Sequence, residues 1–189
     1  MKAWRDLATG YEQKLRTADA VSALQHLSSL QPKDTNVLQE LASQQTTLVR
    51  NYSNDATVAS SITGLAPSSS SFQPAPATPL GKASASLTDP IASAVQQSSA
   101  TAQGTAQSKL TVVEQATEAT YKKLATLTPN DATAQIQLGQ AAQSAGDTAT
   151  AKAAYNAFLK LAPADPLAPR VKQVLKALSG SPAVATSGG

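Results

Sequence analysis

The side chains that could carry out chemistry are few and widely separated along this chain. Its 189 residues include one histidine, His26, and no cysteine. A lone histidine cannot form a multi-histidine metal site, and without cysteine there is no disulfide, thiolate zinc site or cysteine nucleophile. No serine and carboxylate partners for His26 can be recognised, and no phosphate-binding glycine loop or local pair of acids is present. This inventory predicts a non-catalytic protein without a cofactor or metal, and we expect His26 to be a surface or half-buried residue of a helix.

Three aspartates recur in the same local context. Asp34, Asp131 and Asp165 each follow a proline by two residues. Three acids can suggest a metal site, but these lie 97 and 34 residues apart and each precedes a segment with helical spacing. An aspartate in front of a helix accepts hydrogen bonds from its first free N–H groups. We therefore predict that these aspartates are helix N-caps.

Composition and charge exclude several classes of protein. Charged residues make up 14% of the chain, aromatic residues 4%, and the net charge is +3. This net charge is too small to indicate nucleic-acid binding. No run of 18 apolar residues exists, so we expect no membrane span. The first residues include an acid and no apolar stretch, so we expect no signal peptide in this chain.

Apolar residues at helical spacing predict an all-α fold. The stripe of Trp4, Leu7 and Tyr11 is typical of an amphipathic helix, and we expect Asp19 to cap the second helix. Long helices are predicted over 35–62 and 90–128, the second with a possible break near Gly104. The proline- and serine-rich segment 65–88 is predicted to be a disordered loop, and 180–189 a disordered tail.

A repeated pattern organises the sequence. The pattern occurs three times. Each copy begins with a leucine or aromatic residue, continues with two further apolar residues at intervals of three, and ends with a proline, at Pro32, Pro129 and Pro163. The last two prolines are 34 residues apart. The residues that carry the pattern are Trp4, Leu7, Ala8, Tyr11, Ala20, Leu24, Pro32, Pro129, Leu138, Gly139, Ala151, Tyr155 and Pro163. We expect the small residues among them to let paired helices approach closely.

The pattern resembles the tetratricopeptide repeat (TPR) family, in its bacterial type, because the 34-residue period, the small residues and the proline agree together. The resemblance covers about 110 residues of the chain. Ala8, Leu24 and Ala142 replace the glycine, phenylalanine and tyrosine that are usual at their positions. These departures change volume in a core and leave the chemistry unchanged. The resemblance implies a superhelix of helical hairpins closed by a C-terminal capping helix.

The interval from Pro32 to Pro129 is 97 residues, which is much longer than one repeat. We interpret the middle as one enlarged repeat whose long helices project as an antiparallel hairpin; two separate units joined by a flexible linker are the alternative. The resulting assignment is repeat 1 over 1–34, enlarged repeat 2 over 35–131, repeat 3 over 132–165, a capping helix over 166–179 and a tail over 180–189.

The resemblance also implies a concave surface built by the first helix of each repeat, on which a protein or peptide partner binds. Carried over by position, the candidate partner groove comprises Arg5, Thr9, Glu12, Gln13, Asn36, Gln39, Ser43, Thr46, Thr133, Ile136, Gln140 and Gln143. These are mainly neutral amides and hydroxyls. They suit hydrogen bonding to an extended peptide backbone, and they lack the basic clamp of chaperone-binding members.

Basic residues are concentrated near the C-terminal end. Residues 150–179 contain five basic residues and one acid, so their net charge is +4 while the rest of the chain has −1. Anionic lipid or nucleic acid could attract such a segment, but we interpret it as the cap of a repeat array and expect no nucleic-acid partner.

The leading functional hypothesis is a non-catalytic TPR scaffold or adaptor for protein–protein interaction. The alternative is a structural cell-envelope protein whose membrane anchor lies upstream of this chain. Localisation stays open between the cytoplasm and an extracytoplasmic, anchored position.

Overall fold

The structure is a computed structural model that describes residues 2–65 and 90–180, except for the side chains of residues 2, 62–65 and 90–96. These residues form seven helices and no strand, which confirms the all-α prediction. The helices are α1 Lys2–Gln13, α2 Thr17–Leu30, α3 Thr35–Leu65, α4 Pro90–Leu127, α5 Ala132–Ser144, α6 Thr148–Leu161 and α7 Ala168–Gly180. The predicted loop beyond Leu65 and the predicted tail beyond Gly180 lie outside the described residues.

The predicted break at Gly104 does not occur, because α4 continues through this residue. A glycine in a helix costs only about 1 kcal/mol relative to alanine. Contacts on both sides of Gly104 stabilise the helix. Gln103, just before it, hydrogen-bonds to Ser60, and Ala106, two residues after it, is buried.

The chain divides into two compact units, one of Met1–Leu48 with Thr111–Gly189 and the other of Val49–Leu110. In the second unit, α3 and α4 lie side by side. The Gln103 amide donates to the Ser60 hydroxyl at 3.1 Å, and Lys109 Nζ lies 5.9 Å from the centre of the Tyr52 ring. The described buried side chains here are small, such as those of Ala59 and Ala106.

In the larger unit, the turns after α2, α4 and α6 have the same backbone hydrogen bonds. In the first turn, the N–H of Gln31 donates to the Leu27 carbonyl at 2.9 Å and that of Asp34 to the Gln31 carbonyl at 3.2 Å. The equivalent donor–acceptor pairs are Thr128–Leu124 and Asp131–Thr128 in the second turn, and Ala162–Phe158 and Asp165–Ala162 in the third. The sequence pattern around each proline therefore produces one backbone geometry three times.

The aspartate of each turn accepts a hydrogen bond from the N–H group two residues further on. Asp34 accepts from the N–H of Asn36 at 3.0 Å, Asp131 from that of Thr133 at 2.8 Å, and Asp165 from that of Leu167 at 2.7 Å. These hydrogen bonds satisfy donors that have no partner within a helix. The N-cap prediction is confirmed at Asp34 and Asp131. It is wrong at Asp165, because α7 begins three residues later, at Ala168, and the Asp165 carboxylate accepts a hydrogen bond within the turn that precedes the helix.

The predicted cap at Asp19 is wrong. Helix α2 begins two residues earlier, at Thr17, and no side chain caps it. The Asp19 carboxylate lies in the first helical turn and accepts from Arg16 Nε at 2.7 Å. The start of α2 moves because the preceding turn already reverses the chain at Leu15.

The turns inside the first and last helix pairs also match each other. The N–H of Arg16 donates to the Tyr11 carbonyl at 2.9 Å, and that of Asp147 to the Ala142 carbonyl at 2.8 Å. The residue just before each donor is left-handed, with φ of 56° at Leu15 and 82° at Gly146. Leucine rarely adopts this conformation, whereas glycine does so freely.

We predict that Leu15→Gly stabilises the protein. The Leu15 side chain is 90% exposed and packs against little. The substitution relieves about 1–2 kcal/mol of strain in the left-handed conformation. This gain exceeds the cost of about 0.4–1 kcal/mol that arises because glycine gives the unfolded chain more conformational freedom. Urea denaturation should show a gain, and Gly146→Ala, the opposite change at the matching turn, should show a loss. A loss for Leu15→Gly would contradict this geometry.

Two clusters of buried side chains join α3 to α7 among the described residues of the larger unit. In the first, the start of α3 and the end of α4 pack against α5 and α6. Its members are Leu38, Ala42, Tyr121, Leu124, Ala125, Ala134, Leu138, Ala141 and Ala154. In the second, α5 and α6 pack against α7 through Ile136, Ala142, Ala151, Tyr155, Phe158, Ala168 and Val171. Helix α7 thus covers apolar side chains of the last helix pair.

The predicted small residues lie where helices cross. Ala8, Ala20 and Ala151 have no exposed surface. At Gly139, a Cβ atom would lie 2.5 Å from Cε1 of Tyr155, which is closer than real Cβ atoms approach a ring. Close approach of the paired helices therefore depends on these side-chain sizes.

Gln45 is a buried polar residue in α3. Its side chain is 2% exposed, and Oε1 has no hydrogen-bond partner. Gln45 follows Tyr11 by 34 residues and so falls at the tyrosine position of the repeat pattern. A buried acceptor without a partner costs about 1–3 kcal/mol.

We predict that Gln45→Met stabilises the protein by about 1 kcal/mol, because methionine keeps the shape and removes the unpaired acceptor. The comparison is Gln44→Met, which removes the donor to Glu12 and should give no gain. Chemical denaturation of both variants measures the difference. Lower stability for Gln45→Met would mean that the amide makes a favourable interaction.

Candidate binding surface

The candidate residues of α1 are mostly exposed and held by local contacts. The Thr9 hydroxyl donates to the Arg5 carbonyl at 3.0 Å. Glu12 is half-buried and accepts from Nε2 of Gln44 at 2.7 Å, whereas Gln13 is exposed. The guanidinium of Arg5 lies 3.8 Å from the Asp34 carboxylate. These side chains therefore connect α1 to α3 and to the turn before it.

Charged side chains outside the predicted set join this α1–α3 junction. Burial raises the pKa of the Glu40 carboxyl, the negative charge of Glu12 raises it further, and the positive charge of Arg5 opposes both. Asp34, Glu40 and Gln44 were not predicted from the sequence as neighbours of the candidate residues. Glu40 and Gln44 are four residues apart and therefore lie on one side of α3. This spacing in the sequence could have indicated that both face the same neighbour.

The candidate residues of α3 form an exposed, uncharged strip. Asn36, Gln39 and Ser43 are exposed, and their side chains make no hydrogen bond among the described residues. Thr46 differs, because its hydroxyl donates to the Ala42 carbonyl at 2.8 Å and lies 3.5 Å from the Tyr121 hydroxyl. Three of the four side chains are thus open to a partner.

The candidate residues of α5 behave differently from one another. Thr133 and Gln140 are exposed, and Gln143 accepts from the Tyr155 hydroxyl at 2.9 Å. Ile136 is 9% exposed and packs in the cluster with Phe158 and Val171, so it is a core residue and not a groove residue. The assignment of Ile136 by position was wrong because α6 and α7 enclose it.

A pair of carboxyl groups links α4 to the turn between α5 and α6. Burial raises the pKa of Glu118, and the charge of Asp147 and a hydrogen bond with its side chain raise it further. The pKa of Asp147 is lowered, chiefly because its carboxylate accepts from the hydroxyl and N–H of Thr150 at 2.6 and 3.0 Å. Asp147 therefore stays ionised while Glu118 retains its proton to a higher pH.

We predict that Glu118→Gln stabilises the protein at neutral pH and not in acid. A raised folded pKa contributes stability below the unfolded pKa, and that contribution is lost as pH rises through the folded pKa. Glutamine cannot ionise, and its amide can donate to Asp147. Solvent screening limits the gain to about 0.2–1 kcal/mol. Thermal unfolding of both proteins at neutral pH and at acidic pH measures this gain in stability. An equal gain in acid would contradict the charge interaction.

The ring of the lone histidine stacks on an aromatic side chain of the neighbouring helix. His26 is exposed on α2, as predicted, and its ring stacks on Trp4 of α1 with centroids 4.5 Å apart and planes at 17°. Over residues 2–65 and 90–180, no group of three His, Cys, Asp or Glu side chains could hold a metal ion. The exposed side chains of α1, α3 and α5 can donate and accept hydrogen bonds.

Comparison with known proteins gives no assignment: no protein-family model and no curated protein matches this sequence. Separately, none of the helices in the described part of the chain is both long enough and apolar enough to cross a membrane.

Proposed function

We propose that this chain is a TPR scaffold that binds a protein or peptide partner on the exposed faces of α1, α3 and α5. The observation that carries the proposal is the set of exposed side chains Gln39, Ser43 and Gln140, which have no hydrogen-bond partner among the described residues. An amide side chain offers both a donor and an acceptor, as a peptide backbone does. Such side chains suit an extended partner that pairs through its main chain.

The repeated backbone geometry supports the TPR part of the proposal. The three proline turns have the same hydrogen bonds, and the turns at Leu15 and Gly146 match each other. Paired helices with tightly packed small residues at their crossings are what a helical repeat requires. Since each such pair places its first helix at an equivalent position, α1, α3 and α5 are the helices expected to share a partner surface.

The uncharged character of the strip supports a neutral partner segment. Arg5 and Glu12, the two charged candidates, are already engaged with Asp34 and Gln44. The side chains of the strip that are open to a partner, Asn36, Gln39 and Ser43, carry no charge themselves. A strongly acidic or basic peptide would gain little here compared with an uncharged one.

The test is affinity capture from the source cell with quantitative mass spectrometry. A Gln39→Glu/Gln140→Glu double variant should lose its partner by at least about tenfold, equivalent to about 1.4 kcal/mol. Gln25→Glu places the same charge on the exposed face of α2 and should retain the partner. Equal retention by the double variant, or equal loss by Gln25→Glu, would overturn the proposal.

A further inference from the structure

The turn between α6 and α7 exposes apolar side chains. Leu161 is 39% exposed at the end of α6, and Leu167 is 44% exposed just before α7. Pro163 and Pro166 between them are exposed as well. We call residues 161–167 the apolar turn. It presents apolar side chains to solvent instead of burying them in the core cluster beneath.

Basic side chains flank the apolar turn along the chain. Lys160 precedes it, and Arg170, Lys172 and Lys176 follow on α7, all four of them exposed. Among the described residues none of these four forms an ion pair. The one acid in the segment, Asp165, accepts a hydrogen bond from the N–H of Leu167 within the turn. Positive charge in this region is therefore uncompensated.

We propose that the apolar turn and its basic neighbours form a docking surface for an anionic lipid membrane. Leu161 and Leu167 would lie among the headgroups, and Lys172 and Lys176, four residues apart on one side of α7, would face the lipid phosphates. Exposed apolar side chains flanked by lysine and arginine give the combination that peripheral membrane binding uses. The proposal is independent of the partner strip on α1, α3 and α5.

The surface chemistry favours lipid over nucleic acid. Single-stranded nucleic acid binds through aromatic stacking, but the aromatic side chains of α6, Tyr155 and Phe158, are buried. A phosphate backbone also offers nothing apolar to the two exposed leucines. A lipid interface provides both an anionic layer and an apolar boundary.

The turn is poorly suited to a peptide. The N–H groups of Asp165, Leu167 and Ala168 are used in hydrogen bonds within the turn, and prolines have no N–H. A peptide would therefore find few main-chain donors here. A membrane surface requires none, because apolar contact and charge attraction are sufficient.

The chain contains an internal control. Leu30 occupies the equivalent position at the end of α2 and is 54% exposed. It is followed by Lys33 and Asp34, so the charge beside it is balanced. An exposed leucine is therefore common to both turns, whereas the uncompensated basic residues distinguish the apolar turn.

The experiment is co-sedimentation of the full chain with phosphatidylcholine vesicles that contain or lack phosphatidylglycerol. We expect binding to the anionic vesicles at low salt, with a decrease as salt is raised. Leu161→Ser/Leu167→Ser should weaken binding at least about tenfold, and Lys172→Gln and Lys176→Gln about fivefold each. Leu30→Ser should bind as the unmodified protein does.

Three results would overturn the proposal: no binding to anionic vesicles, equal binding to neutral vesicles, or equal weakening by Leu30→Ser. Tighter binding to duplex DNA at the same phosphate concentration would also overturn it and indicate nucleic acid instead. Circular dichroism checks that each variant is folded. The lysine variants keep the test decisive if the leucine variant unfolds, because Lys172 and Lys176 are exposed.

Discussion

Phe158→Ala should destabilise the protein by about 3–5 kcal/mol. The Phe158 side chain is 2% exposed and lies in the cluster that joins α5, α6 and α7. Its removal forfeits the burial of a large apolar side chain and leaves a cavity that rigid neighbours fill only in part. Since domains of this size are stable by about 5–15 kcal/mol, the variant should be close to unfolding. Urea denaturation followed by circular dichroism measures the loss.

Phe158→Leu is the matched control and should cost less than about 1.5 kcal/mol, because it keeps most of the apolar volume. A loss below about 1 kcal/mol for Phe158→Ala would contradict the packing of α7 on the last helix pair, since that is the loss typical of an average substitution.

Gly139→Ala should destabilise the protein by about 1–2 kcal/mol, although alanine is the better helix former by about 1 kcal/mol. The new Cβ would lie 2.5 Å from Cε1 of Tyr155. The ring cannot move away freely, because it is 3% exposed and its hydroxyl donates to Gln143. Overpacking therefore outweighs helix propensity. Thermal and urea denaturation both measure the net change.

The opposite sign is expected at Gly104, where no atom lies within 4 Å of a new Cβ. Gly104→Ala should stabilise the protein by about 0.5–1 kcal/mol. Replacement of Tyr155 by leucine should also abolish most of the cost of Gly139→Ala, with a coupling of about 1–3 kcal/mol. Independent effects of the two substitutions would show that Gly139 and Tyr155 do not touch.

Local signals in the sequence were sufficient to predict the caps at Asp34 and Asp131 and the positions of small residues. The cap of Asp131 involves neighbours two residues away, so its chemistry is readable without a fold. The same holds for Gly139 and Ala151, whose size matters wherever two helices pair. Helix caps and small residues at helix pairs depend on short intervals along the chain, so they can be recognised in the sequence alone.

Features that depend on distant residues could not be predicted. Ile136 was placed in the groove by its position in α5, but Phe158 and Val171 from two later helices enclose it. The junction of Glu12 with Gln44 depends on how α3 approaches α1. Helix spacing indicates which residues share one face, whereas neighbouring helices determine which face stays exposed.

Site-specific photo-crosslinking in the source cell tests the central claim most directly. A photoreactive amino acid is placed at Gln39, at Gln140, or at Gln25 on the exposed face of α2. The account predicts that Gln39 and Gln140, on α3 and α5, crosslink to one common protein and that Gln25 does not. Crosslinks to that protein from Gln25 as well, or different proteins from Gln39 and Gln140, would contradict a shared partner surface on these helices.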